Sequence, residues 1–174
     1  AIAALARRVT AERPGGDPNE AITPRAERAA PLTPAQETLW LVSRLADAAP
    51  YIVAEAWRLH GDLRVSALQA ALDALAARHD AFRLVFSAGP DGLRQQALPP
   101  APVALEVHDL RTRAPEARAD AVADRLERCA PTPFDLGAGA LLRGVLLRTG
   151  GDEWILALAT HHIVYDGWSR EILL

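Results

Sequence analysis

Two adjacent histidines, His161 and His162, are the side chains of this sequence best placed to do chemistry. They end a mostly apolar stretch over residues 153–161, which predicts a buried strand. Successive side chains of a strand point to opposite faces, so one histidine is expected to face the core and the other an opening. His161 shares parity with Ile155 and Ala157, which leaves His162 to project into a cleft. A neutral imidazole there can accept a proton near neutral pH.

Asp166 and Gly167 follow the histidine pair at a short offset, which predicts a loop that serves the same site. Asp166 lies too tightly around a turn from His162 to be assumed its direct partner. It can pair with an arginine and fix the loop, or cap the helix that begins near Asp166 or Ser169. Gly167 removes a side chain where a backbone or a thin substrate must pass.

The histidines also have structural interpretations. His161 can be a core histidine whose hydrogen bonds are satisfied internally. A metal site formed by His161, His162 and Asp166 is disfavoured, because adjacent strand residues diverge and no third histidine or cysteine stands nearby. The single cysteine, Cys129, has no flanking motif and is expected to be a small buried apolar group.

The composition is that of an ordinary globular protein. The chain has 174 residues, of which 50% are hydrophobic and 24% are charged, and this mix excludes wholesale disorder. The 19 basic and 22 acidic residues give a formal net charge of −3, which argues against a nucleic-acid binder or a membrane-surface binder. Charged residues interrupt every apolar run, so no membrane span is predicted. The N-terminus shows no signal sequence, so we expect a cytoplasmic setting.

Hydrophobic patterning predicts helices mixed with strands. Helices are expected over residues 34–48 and 65–79, from residue 115, and from about residue 166. Strands are expected over residues 51–59, 82–87, 93–98, 103–108, 141–148 and 153–161. Thr33 and Gln36 have the spacing of a capping box at the first of these helices. The last two strands predict a hairpin, and the mixture predicts an α/β fold, a layered α+β sandwich with antiparallel pairs.

The first thirty residues predict a separate unit. Residues 1–12 have apolar residues on one helical face, and Pro14-Gly15-Gly16 ends that helix. Residues 13–30 hold several prolines and few large apolar groups, which predicts an extended interdomain linker. The main domain is expected to begin near Pro31. The sequence stops at Leu174 on uncapped leucines, so we expect it to be a piece of a longer polypeptide.

The stretch from His161 to Ser169 resembles the His-His-x-x-x-Asp-Gly signature of the condensation domains of non-ribosomal peptide synthetases. Other segments resemble further motifs of that family and occur in the same order. They are Leu32–Trp40 for the first motif, Arg78–Phe86 for the second, and Pro133–Leu136 followed by Leu141-Leu142-Arg143. The second motif has Asp80 where Glu is usual and Phe82 where Leu is usual. The resemblance covers residues 31–174.

The resemblance implies a fold like that of chloramphenicol acetyltransferase, in which two similar lobes meet in a V. Residues 31–174 would be the N-terminal lobe, with a mixed, largely antiparallel sheet flanked by helices. Residues 1–12 would be the last helix of an upstream carrier-protein domain, and 13–30 the linker. The substrate channel would run between this lobe and a C-terminal lobe, so the fragment alone is expected to be inactive.

The resemblance also implies a reaction, amide-bond formation between two carrier-bound thioesters. The α-amine of the acceptor would attack the thioester carbonyl of the donor. His162 matches the catalytic histidine of the motif, and it would take the amine proton or hold the amine in line. His161 matches the structural histidine.

The neighbouring residues would support this site. Asp166 would keep the loop in shape through a salt bridge to an arginine of the second motif, with Arg83 the first choice and Arg78 the second. Gly167 would keep the channel open for the pantetheine arm. Tyr165 stands where a small residue such as Ser is common, which would narrow the space beside the site.

The resemblance implies no bound cofactor and no metal, because the substrates arrive on the 4'-phosphopantetheine of carrier domains. The implied partners are an upstream donor carrier, a downstream acceptor carrier, the C-terminal lobe and the adenylation domain of the module. Ester formation, epimerisation and non-catalytic recruitment of a partner are alternatives. The intact His162, Asp166 and Gly167 count against recruitment alone. A heterocyclising relative is disfavoured, because those carry Asp in place of the motif histidines.

Overall fold

The computed structural model describes residues 29–45, 51–129 and 132–173. The helix predicted over 1–12 and nearly all of the linker predicted over 13–30 lie outside these residues, so both stay predictions. In the part that is described, no helix is long and apolar enough to cross a membrane.

Helices and strands are mixed along the described chain. The helices are α1 (Pro34–Leu45), α2 (Val65–Arg78), α3 (Pro115–Cys129) and α4 (Gly167–Leu173). The strands are β1 (Ala29–Pro31), β2 (Ile52–His60), β3 (Leu84–Gly89), β4 (Gly92–Ala97), β5 (Ala104–Asp109), β6 (Leu142–Arg148) and β7 (Glu153–His161). The predicted capping box is present, since Gln36 Oε1 accepts from the Thr33 N–H at 2.9 Å and Thr33 Oγ1 from the Gln36 N–H at 3.3 Å.

The strands form two sheets rather than one. The larger sheet has the order β2-β7-β6-β5, in which β2, β7 and β6 are antiparallel and β5 runs parallel to β6. Helix α3 makes the crossover that a parallel pair requires. The smaller sheet is antiparallel, with the order β1-β4-β3. The predicted α/β class, with mixed and largely antiparallel strands flanked by helices, is confirmed.

The strand predicted over 82–87 begins later than expected. A 3₁₀ helix occupies Asp80–Arg83, and β3 starts only at Leu84. The turn forms because the Arg83 side chain folds back, with its Nε donating to the Ala76 carbonyl at 2.9 Å. Arg83 therefore ties the end of α2 to the smaller sheet, a role that an alternating pattern does not reveal.

Strand β7 is the centre of the larger sheet. It pairs with β2 on one edge and β6 on the other, and it is buried continuously from Leu156 to His161. Its alternate residues pack into two different apolar clusters. Ala157 and Ala159 join the cluster that α1 and α3 cover, whereas Leu156 and Leu158 join the one that α2 covers. The strand that ends at the histidines is thus held on both edges and both faces.

The loop that leads into β6 needs a glycine at position 139. Gly139 has φ +77°, and a Cβ there would lie 2.7 Å from Leu98 Cδ1 and 2.9 Å from Val85 Cγ1. We expect Gly139→Ala to destabilise the folded domain by about 2 kcal/mol, because it adds left-handed strain to overpacking. Gly151→Ala is the matched control, since its Cβ would meet nothing within 4 Å. Urea unfolding measures both, and equal midpoints would contradict the prediction.

Candidate active site

The two histidines diverge at the end of β7. His161 is 1% exposed, and its ring meets the buried ring of Phe134 edge to face with centroids 6.5 Å apart. His162 is exposed, and its backbone N–H donates to the Tyr51 carbonyl at 2.7 Å. The prediction that the two histidines diverge, with His161 in the core, is confirmed, since His161 is buried and His162 is exposed. It follows from strand alternation and from pairing with β2 that continues to the end of β7, where Ile52 stands opposite His161.

His161 is a neutral group that shapes the turn after β7. Its Nδ1 accepts a hydrogen bond from the Ile163 N–H at 3.1 Å, which places the ring proton on Nε2. Burial lowers the pKa of His161 from 6.5 to about 4, with a further contribution from nearby His162. Its Nε2 is buried and has no hydrogen-bond partner among the described residues. Such a side chain holds the loop backbone and does not exchange protons with solvent near neutral pH.

The side chain of His162 is exposed to solvent. Strand pairing fixes its backbone, while its side chain is exposed. Among the described residues, its imidazole has no hydrogen-bond partner. A backbone held in place together with an accessible imidazole is the arrangement that a general base requires.

Asp166 caps α4. Its Oδ1 accepts from the Ser169 N–H at 2.9 Å and from the Ser169 hydroxyl at 2.8 Å. These hydrogen bonds hold the pKa of Asp166 below its usual value, the backbone one contributing most. The sequence left open whether Asp166 pairs with an arginine or caps a helix, and in the structure it caps the helix.

The structure does not bring Asp166 to the arginines expected to pair with it. The Arg83 guanidinium is already occupied by the carbonyls of Ala76 and Leu98 and by the carboxylate of Asp80. No ion pair between Asp166 and Arg78 occurs in the described ranges either. The expected salt bridge is corrected accordingly, because Arg83 satisfies its charge within its own turn and the end of β4.

Gly167 is the first residue of α4 and faces open space. A Cβ at this position would meet nothing within 4 Å. Contacts among the described residues therefore do not require a glycine here, and the space beside His162 and Asp166 stays open on this side.

The Pro133–Leu136 segment supports the buried histidine. Phe134 lies between His161 and the guanidinium of Arg143, whose Cζ is 4.0 Å from the ring centroid. Arg143 also donates to the Cys129 carbonyl at 3.0 Å and to the Thr132 carbonyl. Phe134 thus contacts both the buried histidine and Arg143, which lie in different segments of the chain.

Sequence reasoning missed a carboxylate beside the motif. Glu55 Oε2 accepts from the Tyr165 hydroxyl at 3.2 Å, and Glu55 Oε1 lies 2.6 Å from Arg170 Nε. Burial, and then Glu55, raise the pKa of Tyr165 to about 12, so the phenol stays a donor. The signal was present in the sequence, because Glu55 has the same parity in its strand as the apolar residues Val53 and Trp57.

In the described ranges, no group of three or more His, Cys, Asp or Glu side chains is arranged to hold a metal.

Comparisons with known proteins identify the family of this chain. The condensation domain family model matches residues 26–174. The chain is 41% identical over 144 residues to chondramide synthase cmdD of Chondromyces crocatus, covering 80% of this chain and 4% of that protein. It is 38% identical over 181 residues to one chain of the linear gramicidin synthase of Brevibacillus parabrevis, covering 99% of this chain and 4% of that protein. Phosphinothricin tripeptide synthetase PhsC of Streptomyces viridochromogenes is 37% identical over 164 residues, 94% of this chain and 15% of that protein.

Solved structures show the same fold. The starter condensation domain of rhizomide synthetase RzmA superposes with a TM-score of 0.74 at 30% identity, covering 84% of this chain and 35% of that one. The X-domain from teicoplanin biosynthesis gives a TM-score of 0.72 at 30% identity, covering 88% and 32%. This chain thus spans about a third of each solved chain and a small part of each synthetase. The match over residues 26–174 shows that the chain belongs to the condensation domain family of non-ribosomal peptide synthetases.

Proposed function

We propose that this chain is the N-terminal, histidine-bearing lobe of a condensation domain that forms peptide bonds in non-ribosomal peptide synthesis. The observation that carries the proposal is the exposed His162 beside the buried His161 at the end of β7, in a chain of this family. In the reaction, the acceptor α-amine attacks the thioester carbonyl of the donor. The carbon–nitrogen bond forms, the carbon–sulfur bond breaks, and the donor pantetheine leaves as the thiol.

His162 takes the proton that the amine loses, or holds the amine in line for attack. Either role needs an imidazole that substrate can reach, attached to a backbone that does not move. The hydrogen bond from the His162 N–H to the Tyr51 carbonyl supports the second condition. His161 shapes the turn through Ile163, and its neutral, buried ring keeps it out of the proton transfer.

Asp166 and Gly167 prepare the start of α4. Asp166 fixes this helix end through Ser169, and it needs no arginine to do so. The open space beside Gly167 supports its assignment as the wall of a channel for the pantetheine arm.

The partners follow from the family. We propose that residues 31–174 act with a C-terminal lobe, that upstream and downstream carrier domains deliver the two thioesters, and that an adenylation domain selects the acceptor. Residues 1–12 would be the last helix of the upstream carrier. Because this chain spans about a third of the solved condensation domain, we expect residues 31–174 alone to transfer no acyl group. Turnover by that isolated segment would contradict this expectation.

The test uses the complete domain with both of its carriers. Donor and acceptor are loaded as pantetheine thioesters, the acceptors from a panel of amino acids and hydroxy acids, and the mass of the acceptor carrier is followed. A gain equal to the donor acyl group supports amide formation. Gain only with hydroxy-acid acceptors would indicate ester formation, and inversion of a loaded residue without mass gain would indicate epimerisation; either result would contradict the proposal.

A further inference from the structure

A carboxylate on β2 is bound to both ends of the segment that follows His162. Tyr165 lies in the loop, Arg170 lies in α4, and each contacts a different oxygen of Glu55, at 3.2 Å and 2.6 Å. The side chain of Glu55 is 23% exposed and Tyr165 is 5% exposed, so the hydrogen bond between them is largely removed from water, whereas the side chain of Arg170 is 56% exposed.

An apolar residue is the default at this position of β2. Val53 and Trp57 flank Glu55 on the same face and pack against the cluster that contains Tyr165 and Leu158. Placing a carboxylate among them costs free energy unless it is paired and hydrogen-bonded. Both carboxylate oxygens of Glu55 have a partner, and both partners, Tyr165 and Arg170, lie in the segment that follows His162 (the histidine segment, residues 162–170). A residue kept there for stability alone would more simply be apolar.

Strand β2 therefore holds the histidine segment at two levels. The Tyr51 carbonyl accepts from the backbone N–H of His162, and Glu55 holds the chain farther on through Tyr165 and Arg170. We propose that Glu55 is a positioning residue, whose carboxylate fixes the His162 loop and the start of α4 relative to β2. This inference rests on the proposed function of His162.

Removing the carboxylate has two local consequences. The Tyr165 hydroxyl stays buried but loses its hydrogen-bond acceptor, and Arg170 loses its ion-pair partner. The loop then relaxes away from β2, and His162 moves relative to the two thioesters. A displacement of about 1 Å at a reacting group can cost on the order of 100-fold in rate.

The test compares variants of the complete domain in the carrier assay. We expect Glu55→Ala to lower kcat by about 10-fold to 100-fold, while KM for the loaded acceptor carrier changes less than about twofold. Glu55→Gln keeps the size and one acceptor oxygen, so it is expected to retain more activity than Glu55→Ala. Glu106→Gln is the matched control on β5, since Glu106 is exposed and its side chain lies 3.3 Å from His108, away from Tyr165 and Arg170.

The double variant separates positioning from general destabilisation. Tyr165→Phe alone is expected to lower kcat, but added to Glu55→Ala it is expected to cost little more, because Glu55→Ala already removes the hydrogen bond that Tyr165 makes to Glu55. Additive losses, or a loss in Glu55→Ala that only follows a lower melting temperature, would overturn the proposal. Wild-type kcat in a folded Glu55→Ala domain would also overturn it.

A spectroscopic measurement keeps this inference separate from the proposed function. The imidazole resonances of His162 are assigned in labelled domain by their loss in His162→Ala. We expect Glu55→Ala to shift or broaden them and Glu106→Gln to leave them in place. If the wild-type domain transfers no acyl group, the proposed function fails, while unchanged resonances in Glu55→Ala would by themselves overturn the positioning role.

Discussion

The His162→Ala variant of the complete domain is expected to lose acyl transfer by about 100-fold to 10,000-fold, the range that a general base contributes. The loss falls on kcat, because alanine removes the group that takes the proton or aligns the amine and leaves the carrier-binding surfaces alone. Since the His162 side chain is exposed, the melting temperature is expected to change little. Intact mass of the acceptor carrier over time measures the rate.

His60→Ala is the control for this substitution. His60 is also exposed, but it lies at the opposite end of β2, where it stands across from Glu153. We expect it to keep wild-type transfer. A His162→Ala domain that forms the amide at the wild-type rate would contradict the assignment of His162.

The divergence of the two histidines could be predicted because it depends on local geometry. Period-two alternation placed His161 with Ile155 and Ala157, and the structure keeps that register to the last residue of β7. The capping box of α1 was readable for the same reason, since Thr33 and Gln36 lie within one turn.

The partners of charged side chains were harder to predict, because they depend on contacts between distant segments. Arg83 was expected to form a salt bridge with Asp166, but its guanidinium donates hydrogen bonds to the carbonyls of Ala76 and Leu98 instead. Glu55 and Arg170 contact each other only because the larger sheet sets β2 beside β7. Such a pair cannot be predicted from residues so far apart in the sequence. The position of Glu55 on the apolar face of its strand nevertheless indicated that it needs a polar partner.

The division of the strands into two sheets also could not be predicted from the sequence. Each strand was recognisable by its own pattern, but the pattern does not say which edges pair. Strand β4 pairs with the short β1 and with β3, and β5 joins the other sheet beside β6 after a helical crossover. These pairings are long-range, and burial of the whole core selects them.

The second large effect is expected on stability, through His161. Its pKa is about 4 in the folded domain and 6.5 without the fold. Between these values the unfolded chain binds a proton at this ring and the folded chain does not, so folding loses stability as the pH falls. The contribution of His161 to the free energy of unfolding is fully present above pH 6.5 and is lost by about pH 4. At about 1.4 kcal/mol per pH unit, the loss amounts to roughly 3 kcal/mol. Urea unfolding across this pH range measures it.

The His161→Asn variant isolates this effect, because its side-chain oxygen can still accept from the Ile163 N–H that now donates to His161 Nδ1 at 3.1 Å. Asparagine does not titrate, so the difference in unfolding free energy between wild type and variant is expected to be constant above pH 6.5, to shrink below it and to change sign as the pH approaches 4. At pH 7.5 the variant is expected to be less stable by about 2 kcal/mol, since the smaller side chain leaves a gap beside Phe134. A difference that stays constant down to pH 4 would mean that the ring of His161 is protonated as readily in the folded domain as in the unfolded chain, and a buried, neutral support for the His162 loop would then be untenable.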